Sequence, residues 1–388
     1  MNTEVSRLKK KLPELYEDFA STGPDTLNGR YMRQFWHPVE RSELLPAGRA
    51  LPIRVMSENF TLYRGEDGVA HVVAFRCPHR GTQLSVGFVE EGSIRCLYHG
   101  WKFDGTGQCV EQPAEASEFA SKVRIASYPT REHVGLIFAY FGAGEPPPFP
   151  HIPGFPDGAL IETNIDLFQC NFFQSWENDW DEYHVAWTHR TGGVHIAPEL
   201  GDERFEETDY GVVKLSRKSD GTTRSSTFFW PATIRLTIPS PSWFRQRNVG
   251  PALREAYIIH VPVDDHSHRF YATMGVQVPA ADRDAYLEEY GVFRSLLDAR
   301  PAYEIAEPVL RGEKTLADVF QNDEHPFMAV IEDMAAQPGQ GRSVDRSEER
   351  LGRSDKGVIM LRKLWARELQ SFAETGSSKA WSTLDAMP

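Results

Sequence analysis

Between Leu51 and Phe75 apolar and polar residues alternate. PIRVM, FTLYRG and VAHVVAF each carry the two-residue period of a half-buried strand, and Glu66-Asp67-Gly68 supplies a turn between the last two. The pattern predicts a small antiparallel β-domain that closes with the apolar run VGLIFAYFG at 134–142. The Pro-dense stretch GAGEPPPFPHIPGFPDG at 142–158 cannot continue as helix or central strand and reads as an extended linker. Beyond it, VVKLSR, TFFWP, TIRLTIP, EAYIIHVPV and HRFYATMGVQV predict a run of sheet, followed by helices over about 281–299 and 357–374. Leu8, Leu12 and Leu15 stand at helical spacing, so residues 4–20 predict a short amphipathic helix. The expected fold class is α+β: a small antiparallel β-domain over 35–145, and a domain over 146–388 with an antiparallel sheet flanked by helices. A helical segment within 1–34 is expected to pack on the larger domain.

Between the β-domain's strands lies CPHRGTQLSVGFVEEGSIRCLYHGWKFDGTGQC, Cys77 to Cys109. It holds a Cys-x-His pair (Cys77, His79), sixteen intervening residues, and a Cys-x-x-His pair (Cys96, His99). Two thiolates and two imidazoles in this order are the ligand set of a Rieske [2Fe–2S] centre. Cys₂His₂ also suits zinc, but zinc fingers place both Cys before a helix and both His on it. Here each Cys is followed by its own His, with Pro78 and Gly81 flanking one pair and Gly100 the other. That describes two facing loops, each supplying one sulfur and one nitrogen. Cys109 and Cys170 are left over and are expected as small buried hydrophobes.

CPHRG…CLYHGWKFDGTG resembles the cluster motif of the Rieske non-haem iron oxygenases. Neither loop has the extra Cys that would form a local disulfide, as in respiratory Rieske proteins. The resemblance implies a Rieske [2Fe–2S] domain over 35–145 and a catalytic mononuclear iron domain over 146–388. It also implies oxidation of a small aromatic substrate by O₂. Electrons are expected from NAD(P)H through a separate ferredoxin or reductase, since the chain has no G-x-G-x-x-G unit of its own.

Just past the linker, WENDWDEYHVAWTH offers Asp181, His184 and His189. Two imidazoles and one carboxylate make the facial triad of mononuclear non-haem Fe(II). His184 and His189 would stand about 140° apart on an ideal helix, so a bulge or a helix end is expected between them. Taken alone, the stretch also reads as a solvated acidic helix. The passage at 330–363 resembles the C-terminal motif of the phthalate-dioxygenase branch, in which a carboxylate precedes an Asp-Arg pair by about a dozen residues. Counting back from Asp345-Arg346 reaches Asp333, with Glu332 as the alternative. The ligands implied are His184, His189 and Asp333. Asp181 is then implied as a bridge between His99 of one chain and His184 of the next, in a head-to-tail α₃ homotrimer.

The net charge of −13 argues against nucleic acid and anionic membranes as partners. The N-terminus has a basic patch with no apolar run after it, and no stretch of about 18 apolar residues occurs, so a cytoplasmic protein without membrane span is expected. Arg76, Arg80, Arg95 and Lys102 crowd the cluster loops, either as solvated charges or as a docking patch for an acidic electron donor. Arg190 and Arg235 are candidates for a substrate carboxylate, against the alternative of ordinary surface ion pairs. Asp264-Asp265-His266-Ser267-His268 lies between strand segments and reads as a hairpin loop rather than a metal site.

Overall fold

The computed structural model describes residues 19–150, 155–190, 201–217, 221–322 and 325–381. The helix expected over 4–20 falls almost wholly outside them. Two compact units are distinguished, Thr22–Ile152 and Pro153–Ala386 with Met1–Ser21. Residues 22–34, expected with the larger domain, belong to the N-terminal unit. The physical reason is Arg33, whose guanidinium donates to the Met56 carbonyl at 2.7 Å and pairs with Glu58 at 2.7 Å. Phe19 groups instead with the C-terminal unit, stacking on Phe173 and accepting from the Trp365 indole.

The N-terminal unit is built of three small antiparallel sheets. The alternating segments become Ala50–Val55, Glu58–Arg64 and Ala70–Ala74, and the apolar run becomes Leu136–Tyr140. One cluster loop leaves the strand Ala70–Ala74; the other joins Ser93–Arg95 to Lys102–Phe103. Both loops rise from one core that includes Tyr63, Val73, Leu84, Ile94 and Phe103.

The C-terminal unit holds a seven-stranded antiparallel sheet in the order 160–168, 267–276, 253–264, 233–239, 223–229, 211–217, 202–207. All five predicted segments are strands of it. The sequence reading missed Leu160–Phe168 and Asp202–Glu207, the latter because DERFEE is almost wholly charged. Helices Arg283–Ala299 and Lys356–Thr375 match expectation. Three further helices, Ala302–Leu310, Leu316–Gln321 and Met328–Ala336, are short and punctuated by Pro301, Pro308 and Gly312, which hides their period. Among the described residues no helix is long and apolar enough to cross a membrane.

Candidate metal centres and their cavity

The two cluster loops repeat one backbone plan. Cys77 N–H donates to the Thr82 carbonyl and Gly81 N–H to the Cys77 carbonyl. Cys96 N–H donates to the Trp101 carbonyl and Gly100 N–H to the Cys96 carbonyl. Gly81 and Gly100 both take positive φ (77° and 75°), a conformation that glycine adopts without steric cost. The plan buries both sulfurs and leaves both imidazoles exposed. The His79 and His99 rings lie 4.4 Å apart, and His79 stacks on Trp101 at 4.6 Å. Burial pushes the Cys77 thiol up to about 11, and Cys96 stands within hydrogen-bonding reach of it. Two buried thiols facing each other become stable thiolates only with a metal between them, so these residues fit an iron–sulfur cluster.

Of the basic residues around the loops, Arg95 pairs with Glu90 and Glu111, and Lys102 is buried against Glu91. Arg76 and Arg80 remain exposed, the latter over the Tyr98 ring. Cys109 and Cys170 are buried free thiols.

In the C-terminal unit, Asn171 caps the helix Phe172–Trp180 by accepting from Phe173 N–H. Glu177 on that helix is clamped by Arg346 at 2.8 Å and Arg362 at 2.5 Å. Arg346 of the C-terminal motif thus holds the site helix in place, while Asp345 accepts from Ser347 N–H. Helix Lys356–Thr375 crosses so closely that a Cβ at Gly357 would lie 2.2 Å from the Trp180 carbonyl oxygen. The chain then breaks at Asp181, whose carboxylate accepts from Tyr183 and His184 N–H and starts the helix His184–Thr188. His189 stands just past that helix's last residue. The expected helix end between the two His is therefore present, and it swings their rings to 5.6 Å apart.

His184, His189 and Asp333 each bring one ligand atom to a point where all lie within 4.8 Å of one another. Nδ1 of His184 stands 3.0 Å from the Asp181 carbonyl, and its Nε2 stands 3.3 Å from the Asn178 amide. Nδ1 of His189 donates to Glu332 at 3.1 Å, which turns its Nε2 toward Asp333 Oδ1 at 3.6 Å. Burial alone would lower the proton affinity of His189; Asp333 and Glu332 outweigh it and hold its pKa above the ordinary imidazole range. Asp333 Oδ1 is buried without a hydrogen bond among the described residues. A buried carboxylate oxygen facing two imidazoles fits a divalent metal. Of the two adjacent acids, Asp333 faces the His pair, and Glu332 takes the outer nitrogen of His189.

These groups line a cavity of ≈ 170 Å³. Ile234, Leu236, Ile258, Ala272 and Met274 line it from three neighbouring strands, and Lys214, Arg224 and Ser226 from the next two strands of the sheet; Arg245 and His260 line it as well. Arg190 and Arg235 are not among its lining residues: Arg190 lies over the exposed Trp187, and Arg235 pairs with Glu255. For Arg235 the ion-pair reading holds; for Arg190 the described contact is with a ring and not with an acid. Lys214 was missed, because alternation read from the apolar residues of VVKLSR turns Leu215 inward rather than Lys214. Asp264 to His268 form a hairpin turn between Leu253–Asp264 and Ser267–Val276, as expected.

Residues 35–129 match the family model of the Rieske [2Fe-2S] domain. The 5,5'-dehydrodivanillate O-demethylase oxygenase subunit of Sphingobium sp. is 28% identical over 95% of this chain and 82% of its own length. The tert-butanol monooxygenase / tert-amyl alcohol desaturase oxygenase subunit of Aquincola tertiaricarbonis is 32% identical over 88% and 74%. The phthalate 4,5-dioxygenase oxygenase subunit of Pseudomonas putida is 28% identical over 94% and 87%. The terminal oxygenase of carbazole 1,9a-dioxygenase from Novosphingobium sp. KA1 shares the fold, with a TM-score of 0.62 over 95% of this chain and 98% of that one, at 18% identity. With paired Cys-His loops in one unit, a two-His, one-carboxylate cluster in the other, and this relatedness along both, the chain belongs to the Rieske non-haem iron oxygenases, as the terminal oxygenase component.

Proposed function

We propose that this protein oxidises an aromatic carboxylate by ring hydroxylation or dihydroxylation, with the ring held in the cavity beside His184, His189 and Asp333. The observation that carries the reading is the convergence of those three ligand atoms on a cavity that Ile234, Leu236, Ile258, Ala272 and Met274 also line. Cys77, His79, Cys96 and His99 would hold the [2Fe–2S] cluster, and His184, His189 and Asp333 the mononuclear iron. When bound, the two groups supply single-electron delivery, from NAD(P)H through a ferredoxin or reductase, and activation of O₂.

The chain's own contribution is placement. Glu332 fixes the ring of His189, and Asp181 fixes the start of the helix that carries His184. The aliphatic wall from Ile234 to Met274 excludes water and orients a flat apolar body. Asp181 further serves as the bridge between His99 of one copy and His184 of the next in a homotrimer, so Asp181→Asn would keep both metals and lose nearly all turnover.

Oxidative O- or N-demethylation is the second reading, favoured by the extended likeness to an O-demethylase subunit. The deciding experiment reduces the purified protein, adds O₂ once, and follows a panel of aromatic acids and methoxy-aromatics by mass. A product heavier by two oxygens and two hydrogens establishes dihydroxylation. Formaldehyde, with a product lighter by one methylene, establishes demethylation. No product with iron at both sites overturns the aromatic reading, and iron in the cluster alone leaves only an electron-transfer protein.

A further inference from the structure

Two cations of the cavity lining, Lys214 and Arg224, are not required by the metal centres. Lys214 and Arg224 stand on adjacent strands, and both reach the single carboxylate of Glu182. Lys214 Nζ lies 3.1 Å from Glu182 Oε2, with both side chains 2% exposed. That is a closed, buried pair. Arg224 NH1 lies 3.4 Å from Glu182 Oε1, longer than a charge-assisted hydrogen bond normally is, and its side chain stays 26% exposed. This is the one contact of the Arg224 guanidinium among the described residues, out of five N–H donors it can offer. The trio carries a formal charge of +1. Arg224 and His189 line the same cavity.

From this asymmetry we infer that Arg224 is the specificity-determining residue of the cavity. It receives the carboxylate of an aromatic acid whose ring lies against Ile234, Ile258 and Met274. The inference rests on the proposed aromatic function and adds the residue and atom group that select the acid. Lys214, neutralised by Glu182, is the foundation: it keeps the Glu182 carboxylate from consuming the second cation. A neutral amide of the same shape forgoes the charge-assisted bonds, and in a site with its water partly excluded that loss is worth at least about tenfold in affinity.

The test is equilibrium binding by calorimetry to the metal-loaded protein under argon at neutral pH, with 4-methoxybenzoate and 4-methoxybenzamide as the paired probes. Wild type is expected to bind the acid at least about tenfold more tightly than the amide. Arg224→Gln should abolish that preference by lowering acid affinity at least about tenfold more than amide affinity, an unchanged melting temperature reporting the intact fold; Arg224→Lys should restore part of the preference. Equal affinities in wild type, or no binding of either probe, overturn the inference. So does a preference that survives R224Q, and more so one that R245Q removes, since Arg245 also lines the cavity. Should R224Q fail to fold, the wild-type ratio together with R224K still decides. Turnover is scored separately on a neutral methoxy-aromatic: oxidation without acid preference sinks Arg224 and leaves the oxygenase standing, whereas acid preference without any oxidation does the reverse.

Discussion

The fully buried carboxylate of Glu332 accepts a hydrogen bond from Nδ1 of His189 at 3.1 Å. The bond sets the tautomer, so that the lone pair of Nε2 faces Asp333. Glu332→Ala is expected to lower iron affinity at this centre by about ten- to a hundredfold while the protein stays folded, whereas Glu332→Gln, which keeps an acceptor, loses less. Iron per chain after graded chelation reads the difference.

Asp333 carries the opposite balance. Its Oδ1 is buried without a hydrogen bond, a cost that a bound cation removes. Burial raises the Asp333 pKa against the pull of His189 and His184, so Asp333→Asn, which removes the buried charge, should raise the melting point of the metal-free protein by the equivalent of about 1–2 kcal/mol. It should also abolish mononuclear iron binding. The iron–sulfur absorption bands, which belong to the other unit, should not change. A metal-free variant that melts lower than wild type would refute the account.

Arg254 is the buried hub of the larger unit. It bonds Glu162 at 2.5 Å, the Tyr286 hydroxyl at 2.8 Å and Ser240 at 2.8 Å, with none of its own side chain exposed. Burial raises the Glu162 pKa even against that pairing. Arg254→Met strands the carboxylate and should cost about 3–5 kcal/mol, or about 10 °C in melting temperature. Adding Glu162→Gln should recover part of the loss, a coupling that a double-mutant cycle measures.

His37 makes the N-terminal unit acid-sensitive. Burial lowers its pKa to about 4, although its Nε2 bonds the Met32 carbonyl at 2.7 Å. The unfolded chain protonates it near the ordinary value, so the unfolded state binds the extra proton first and stability falls as pH drops through that range. The loss attributable to His37 is about 2 kcal/mol from about pH 7 to about pH 5. His37→Gln should flatten that limb of a urea-unfolding series by this amount; an unchanged slope would count against it.

The cluster loops were legible because everything that makes them is local. Ligand type, the four-residue interval from each Cys to its Gly, and the positive φ those glycines adopt all lie within a few residues. The five main strands of the larger sheet were legible from alternation, and the helix end between His184 and His189 from the misfit of their spacing to a helical turn.

Other features had no local signature. Alternation in VVKLSR would send Leu215 inward, yet Leu215 is 42% exposed and Lys214 is buried, because Glu182, brought from another element, compensates the lysine charge. Nothing in the sequence singles out Arg224, and only the assembled strands bring it to the cavity.

By itself the sequence determined the family and pointed to two units and to candidate ligands, Cys77, His79, Cys96, His99, His184 and His189, through residue type, spacing and resemblance. Tertiary structure decided between Glu332 and Asp333. Successive residues of a helix point about 100° apart, so two neighbouring acids cannot face one metal in the same way. Only the packing of Met328–Ala336 against the His pair turns Asp333 to the centre and Glu332 to the far side of His189.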